Sequence, residues 1–147
     1  MYDAVMKHAT GSDIIVMAAA VADYRPSSPA KQKIKKEKQK GSPLSIELQP
    51  TKDILKKLGE VKSTKQFLVG FALETNNELE NARAKLENKN LDLIVLNSLK
   101  DEGAGFGHET NKVKMLDRKG GILEYELKDK KAVAIDLLNR IKALVNG

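Results

Sequence analysis

Apolar and polar positions fall in blocks whose period switches between helical and extended along the chain. Val5 and Ala9 stand one turn apart in Tyr2–Ala9, with Gly11 as a stop, so these residues read as a helix. No capping residue precedes it, and the chain is expected to begin inside that helix. Asp13-Ile14-Ile15-Val16-Met17-Ala18 reads as a fully apolar strand. Leu44, Ile46 and Leu48 alternate with Ser45, Glu47 and Gln49, the period of a half-buried strand. Thr51 is placed to cap a helix running to Val61, with Ile54, Leu55, Leu58 and Val61 as its apolar stripe. Gln66–Ala72 is a second apolar strand. Thr75-Asn76-Asn77-Glu78 fits a capping box for a helix that turns Leu79, Ala82 and Leu86 inward. Leu91–Leu96 is the third apolar strand. Val113 and Met115 alternate with lysines up to Arg118-Lys119-Gly120-Gly121, a hairpin turn into Ile122–Leu127. Asp129 caps a last helix with Val133, Leu137, Ile141 and Leu144 on one side.

Strands separated by helices predict parallel βαβ units, and near-continuous apolar strands need cover on both faces. The expected fold is therefore α/β: a Rossmann-like parallel sheet with helices on both faces and a C-terminal β-hairpin. Three apolar strands are few for such a sheet, so the pattern looks like a doubly wound fold truncated at the N-terminus. No repeat or internal boundary is visible, which predicts one domain over 1–147.

Composition narrows the function only partly. The 147 residues carry a formal net charge of +6, so an anionic partner is plausible, whether nucleic acid, nucleotide or phosphorylated metabolite. Aromatics make up 4% and none is interleaved with the basic run, which argues against a platform for stacked bases. No cysteine is present, excluding disulfides and thiolate metal sites. Neither a membrane-spanning run nor a signal peptide is evident, and a cytoplasmic location is expected.

Four segments stand out as chemistry. The strand at 13–18 opens into Ala18-Ala19-Ala20-Val21-Ala22-Asp23-Tyr24-Arg25-Pro26. Small residues there either permit close packing or let a base or phosphate rest against the backbone. In the second case Asp23 meets a metal or ribose hydroxyls; Mg²⁺ is commonly held by one or two carboxylates plus phosphates. Lys33-Ile34-Lys35-Lys36 is either a solvated run or a phosphate-binding loop. Gly70-Phe71-Ala72-Leu73-Glu74-Thr75 and Asp92-Leu93-Ile94-Val95-Leu96-Asn97 each end an apolar strand in polar residues. Ligands of open α/β sheets bind at the carboxyl ends of strands.

In this order and spacing the four segments resemble phosphopantothenoylcysteine synthetase, the phosphopantothenate–cysteine ligase of coenzyme A synthesis. The resemblance implies that Met17, Ala18, Ala19 and Asp23 contact CTP, and that Lys33 binds CTP and serves catalysis. It implies further nucleotide contacts at Lys52, Asp53, Ile54 and Leu55, where Lys52 replaces the family's usual proline. Phe71 corresponds to an aromatic against the cytosine. Lys85 and Lys89 share a helix face and coincide with CTP-binding positions. Asn97 retains the first residue of an Asn-Asp pair, and Ser98 departs from it. Gly105-Phe106-Gly107-His108-Glu109-Thr110-Asn111 resembles a Phe-Gly-Ser-Asp-x-Asn block, with His108 and Glu109 as departures.

The implied reaction joins 4′-phosphopantothenate to L-cysteine through an acyl-cytidylate, with Mg²⁺ and CTP, in a homodimer. Family members also draw a glycine-rich phosphate loop and an Asn-containing segment from before the position of Met1, so the 147 residues alone are expected not to catalyse ligation. The choice between CTP and ATP is open from the residues themselves. Two rivals remain: a dinucleotide-binding redox domain and a basic nucleic-acid-binding module. The first needs a G-x-G-x-x-G turn between strand and helix, whereas Gly103, Gly105 and Gly107 precede a strand. The second would show steep salt dependence without nucleotide preference.

Overall fold

The structure is a computed structural model and describes residues 1–34, 44–98 and 109–147. The chain divides into two compact units, one formed by 1–18 with 54–147 and the other by 19–53.

The larger unit is built on a sheet of β1 (Ile14–Met17), β4 (Phe67–Glu74), β5 (Leu93–Ser98), β7 (Val113–Asp117) and β8 (Ile122–Glu124), in that spatial order. β1, β4 and β5 run parallel, as the alternation of strands and helices predicts. β7 pairs antiparallel with β5, and β8 with β7, so the expected hairpin extends the parallel sheet. Gly120 takes a positive φ of 91° in the hairpin turn, where glycine carries no Cβ penalty.

Period-2 alternation feeds two cores. Leu68 and Ala72 of β4, Ile94 and Leu96 of β5 and Leu116 of β7 face α1 (Tyr2–Ala9), α2 (Ile54–Val61) and α3 (Glu78–Asn88). Val69, Leu93, Val95, Val113 and Met115 face α4 (Lys130–Asn146), which contributes Val133, Leu137 and Ile141. Helices therefore cover both faces. The cover is incomplete at β1: Ile15 and Met17 pack into the first core, while Ile14 and Val16 are 46% and 39% exposed. This edge strand is half-buried where its apolar run predicted full burial.

Two glycines allow elements to approach closely. A Cβ at Gly70 would lie 2.7 Å from Leu55 Cδ2, so its absence lets α2 rest on β4. At Gly59 a Cβ would lie 1.9 Å from the Lys89 carbonyl oxygen, so α2 sits directly on the end of α3. Asn90 secures that contact by donating its Nδ2–H to Gly59 O at 2.7 Å. Asp92 binds the Lys62 ammonium and accepts from Leu68 N at 2.7 Å, joining the start of β5 to β4.

Several local expectations shift. α2 begins at Ile54, three residues after Thr51, whose Oγ1 instead donates to Ala22 O. The expected capping box is also replaced: Asn77 stands at the α3 N-cap in the left-handed region (φ 46°) without a side-chain cap bond. Leu79 and Val61, expected inward, are 38% and 49% exposed. Asp129 does cap α4, accepting from Ala132 N at 2.9 Å. The segment after β8 leaves the sheet beyond Tyr125, whose N still donates to Val113 O at 3.0 Å, and β9 (Lys128–Asp129) pairs with β6 (Thr110–Asn111).

The smaller unit holds an antiparallel ribbon of β2 (Tyr24–Pro26) and β3 (Leu48–Pro50). The alternating segment at 44–48 was expected as a half-buried strand. Only Leu48 of its apolar residues enters β3, and Leu44, Ile46 and Leu48 are each more than half exposed.

Candidate functional site

In the larger unit the parallel register aligns the carboxyl ends of β1, β4 and β5. Met17 pairs with Gly70, and Leu73 with Asn97, so Met17-Ala18, Phe71–Glu74 and Asn97 line one edge of the sheet. Met17 turns its side chain into the first core, which leaves its backbone as the part able to meet a ligand. The Phe71 ring is half-buried against the second core. Ile54 is buried and Leu55 packs beside it. Any contact these two make with a ligand therefore runs through backbone N–H groups of the first helical turn, which lack intrahelical partners.

Glu74 organises the polar part of this edge. Its side chain is 13% exposed, and its Oε1 pairs with Lys85 Nζ at 2.6 Å. Asn81 donates from Nδ2 to Glu74 Oε2 at 3.2 Å and to Asn76 O at 2.9 Å. Side chains on a helix lean toward its N-terminus, so Lys85, two turns into α3, reaches back to the strand end. Lys89 is one turn further away, and its carbonyl lies against Gly59. The structure thus brings Lys85 to the carboxyl edge and places Lys89 at the other end of α3. Asn97 is oriented by buried Asn111, which donates from Nδ2 to Asn97 Oδ1 at 3.1 Å.

In the smaller unit the ribbon brings Asp23 beside the segment containing Lys52 and Asp53. Thr51 N donates to Asp23 O at 2.8 Å, and Thr51 Oγ1 donates to Ala22 O at 2.7 Å. Pro50 ends β3, and this double clamp holds the two chain segments together at the base of the ribbon. Ser27 closes the other end, donating from N to Glu47 O at 3.0 Å and from Oγ to Glu47 Oε2 at 3.0 Å. Ala19, Asp23 and Lys33 are exposed. Lys35, Lys36, Gly103, Gly105, Gly107 and His108 lie outside the described residues.

No group of three or more His, Cys, Asp or Glu side chains able to hold a metal occurs among the described residues. Asp23 is an exposed carboxylate, a donor that suits Mg²⁺ carried in with nucleotide phosphates. Outside the candidate site, the exposed Lys57 ammonium is raised above its ordinary pKa of 10.5 by its hydrogen bond to Glu60 and then by that residue's charge. No described helix is long and apolar enough to cross a membrane.

Sequence reasoning undervalued Glu74, Asn81, Thr51 and Asn111. Glu74 read as a polar residue at a helix start, and its pairing with Lys85 depends on the angle at which α3 leaves β4. Thr51 read as a cap because Ser, Thr, Asp and Asn are common there. Its actual acceptors lie 28 and 29 residues earlier, beyond the reach of local pattern.

Residues 1–145 match the family described as the DNA/pantothenate metabolism flavoprotein C-terminal domain. A protein named cysteine/cysteine sulfinic acid decarboxylase, from an unknown prokaryotic organism, is 52% identical over 91% of this chain and 36% of its own length. The coenzyme A biosynthesis bifunctional protein CoaBC of Bacillus subtilis is 45% identical over 98% of this chain and 34% of its own length. A crystal structure of a CoaBC C-terminal domain superposes with a TM-score of 0.77 at 38% identity, covering 99% of this chain and 61% of that one. The chain thus spans about a third of the length of these two curated relatives. With the family matched over nearly all of its residues and the structure superposing on a CoaBC C-terminal domain, this chain belongs to the DNA/pantothenate metabolism flavoprotein C-terminal domain family.

Proposed function

We propose that this chain is the nucleotide-binding, carboxy-terminal part of a CTP-dependent ligase joining 4′-phosphopantothenate to L-cysteine. The observation that carries the reading is the similarity to CoaBC over 98% of the chain. The substrate carboxylate is a poor electrophile and must be activated. It attacks the α-phosphate of CTP, forming the acyl-cytidylate and releasing pyrophosphate. The cysteine amine then attacks the acyl carbon, forming the amide and releasing CMP and a proton. Catalysis of this kind rests on positioning reactants and stabilising oxygen charge.

The proposed roles follow from residue type and place. Met17 and Ala18, through their backbone, and Phe71 meet the nucleoside, and Asn97, fixed by Asn111, offers an amide to a polar edge. Lys85, positioned by Glu74, meets phosphate; a nucleotide contact at Lys89 rests on the family resemblance alone, since Lys89 stands at the other end of α3. Ile54 and Leu55 offer backbone donors. In the smaller unit Ala19, Asp23, Lys52 and Asp53 contact nucleotide, and Lys33 stabilises charge as pyrophosphate leaves. Mg²⁺, when bound, would neutralise phosphate charge, with Asp23 as its protein ligand. The protein acts in the cytoplasm as a homodimer. Support for the dimer is the apolar exposure of Tyr24, Ile46 and Leu48 around a two-stranded ribbon, an arrangement marginal in water by itself.

A second reading follows from the 52% identical relative: the full protein decarboxylates cysteine or its sulfinic acid. The discriminating experiment supplies the full-length protein with cysteine, phosphopantothenate and CTP. Ligation gives pyrophosphate release that requires all three and falls sharply with Lys33→Gln, while Lys38→Gln has little effect. Carbon dioxide released from cysteine without CTP, and no pyrophosphate, would establish the second reading instead.

A further inference from the structure

A cleft of about 330 Å³ lies between α3 and the β7–β8 turn, far from the edge described above. Leu93 pairs with Asp117 at the beginning of β5, whereas Asn97 stands near its other end. Four residues of strand, about 13 Å, separate the two levels. The volume falls at the lower end of the range for small-molecule sites.

The floor is apolar, from Leu86, Leu116 and Ile122, and two guanidinium groups, Arg83 and Arg118, reach the rim. Arg118 is held in place: Nε donates to Leu91 O at 3.0 Å, and Nη2 donates to Asn90 Oδ1. Asn90 is itself tied to Gly59. A guanidinium has five N–H donors, so this bracing leaves several unused. Arg83 is exposed, and its guanidinium makes no hydrogen bond or ion pair among the described residues.

The acidic groups limit which anion fits. Asp117 is committed, pairing with Arg140 and accepting from Gly121 N at 3.0 Å. Glu87 also lines the cleft, one turn from Arg83, and its carboxylate opposes a second negative charge on a ligand. Planar guanidinium forks match carboxylates.

We propose that this cleft binds a small monocarboxylate whose compact apolar body rests on Leu86, Leu116 and Ile122, with its carboxylate between Arg83 and Arg118. The site is independent of the nucleotide reading. The test is titration of the isotope-labelled 147-residue chain with benzoate, followed by amide chemical shifts, alongside benzyl alcohol and inorganic phosphate. Arg83→Gln is the informative variant because Arg83 is exposed and Gln is an adequate helix former, whereas Arg118 also anchors Leu91 and Asn90. Benzoate is expected to saturate shifts at Glu87, Gly120, Gly121 and Ile122. Arg83→Gln should weaken it by about tenfold or more, the scale of a lost charged hydrogen bond, and Glu87→Gln should tighten it. Benzyl alcohol and phosphate should bind far more weakly. The proposal is overturned if benzoate shifts do not saturate or map elsewhere, if either control binds as well, or if Arg83→Gln leaves affinity unchanged.

Discussion

Replacing Gly59 with alanine tests how closely α2 is seated on the end of α3. The new Cβ would lie 1.9 Å from the Lys89 carbonyl oxygen, 2.8 Å from its carbon and 3.2 Å from Asn90 Cβ. Two of these three atoms are backbone, so no rotamer change relieves the clash, and one helix must move from the other. Overpacking of this sort costs about 1–3 kcal/mol, and a contact against main chain belongs at the upper end. Displacement also strains the Asn90-to-Gly59 hydrogen bond, worth about 1 kcal/mol. The intrinsic helix preference of alanine over glycine returns about 1 kcal/mol. The net expectation is a loss of about 3 kcal/mol, or a fall in Tm of about 6–12 °C for a chain of this size. Gly70→Ala is the control, because its nearest neighbours at 2.7 and 2.8 Å are the methyl ends of Leu55 and Leu91, which can yield. It should cost about 1 kcal/mol. Thermal melts of both variants by circular dichroism measure the difference. A Gly59→Ala chain melting at or above the wild type, or a Gly70→Ala chain melting below Gly59→Ala, would refute the packing argument.

CTP with Mg²⁺ should raise the Tm of this chain more than ATP or GTP at equal concentration, since stabilisation grows as RT ln(1 + [L]/Kd); equal shifts for the three nucleotides would remove the cytosine preference. Lys85→Gln should weaken CTP binding by about tenfold in calorimetric titration, the scale of a charged hydrogen bond, and unchanged affinity would reduce its Glu74 ion pair to a structural role. The Lys57 side-chain resonances should titrate above pH 10.5, and Glu60→Gln should lower the midpoint. Because the folded-state pKa is raised, the pair's contribution is complete below the unfolded value and disappears as pH rises through the folded one. A midpoint insensitive to Glu60→Gln would contradict the assigned cause.

Local pattern carried the elements whose signal lies within a few residues. The apolar blocks read at Gln66–Ala72 and Leu91–Leu96 became β4 and β5, with ends shifted by one or two residues, and Asp129 capped α4, because burial of an apolar run and capping of a helix are short-range demands. The parallel arrangement also followed from strand–helix alternation, since a crossover helix must return the chain to the same end of the sheet. The order and spacing of the four motifs also carry the family resemblance, because they lie in the sequence itself.

Tertiary structure alone decided which faces are covered and which polar groups meet. Ile14 and Val16 belong to as apolar a run as any in the chain, yet they remain partly exposed because α4 packs over β5 and β7 and β1 lies at the edge. Thr51 had the right chemistry for a cap, but the carbonyls of Ala22 and Asp23, brought alongside by the ribbon, supplied its actual acceptors. Glu74 meets Lys85 and Asn81 only because α3 folds back along β4 at the angle the core permits. Sequence therefore specified the period and chemistry of each segment. The pairing of segments distant in sequence depended on the packing of whole elements, whose energy is shared among many contacts and leaves no local signature.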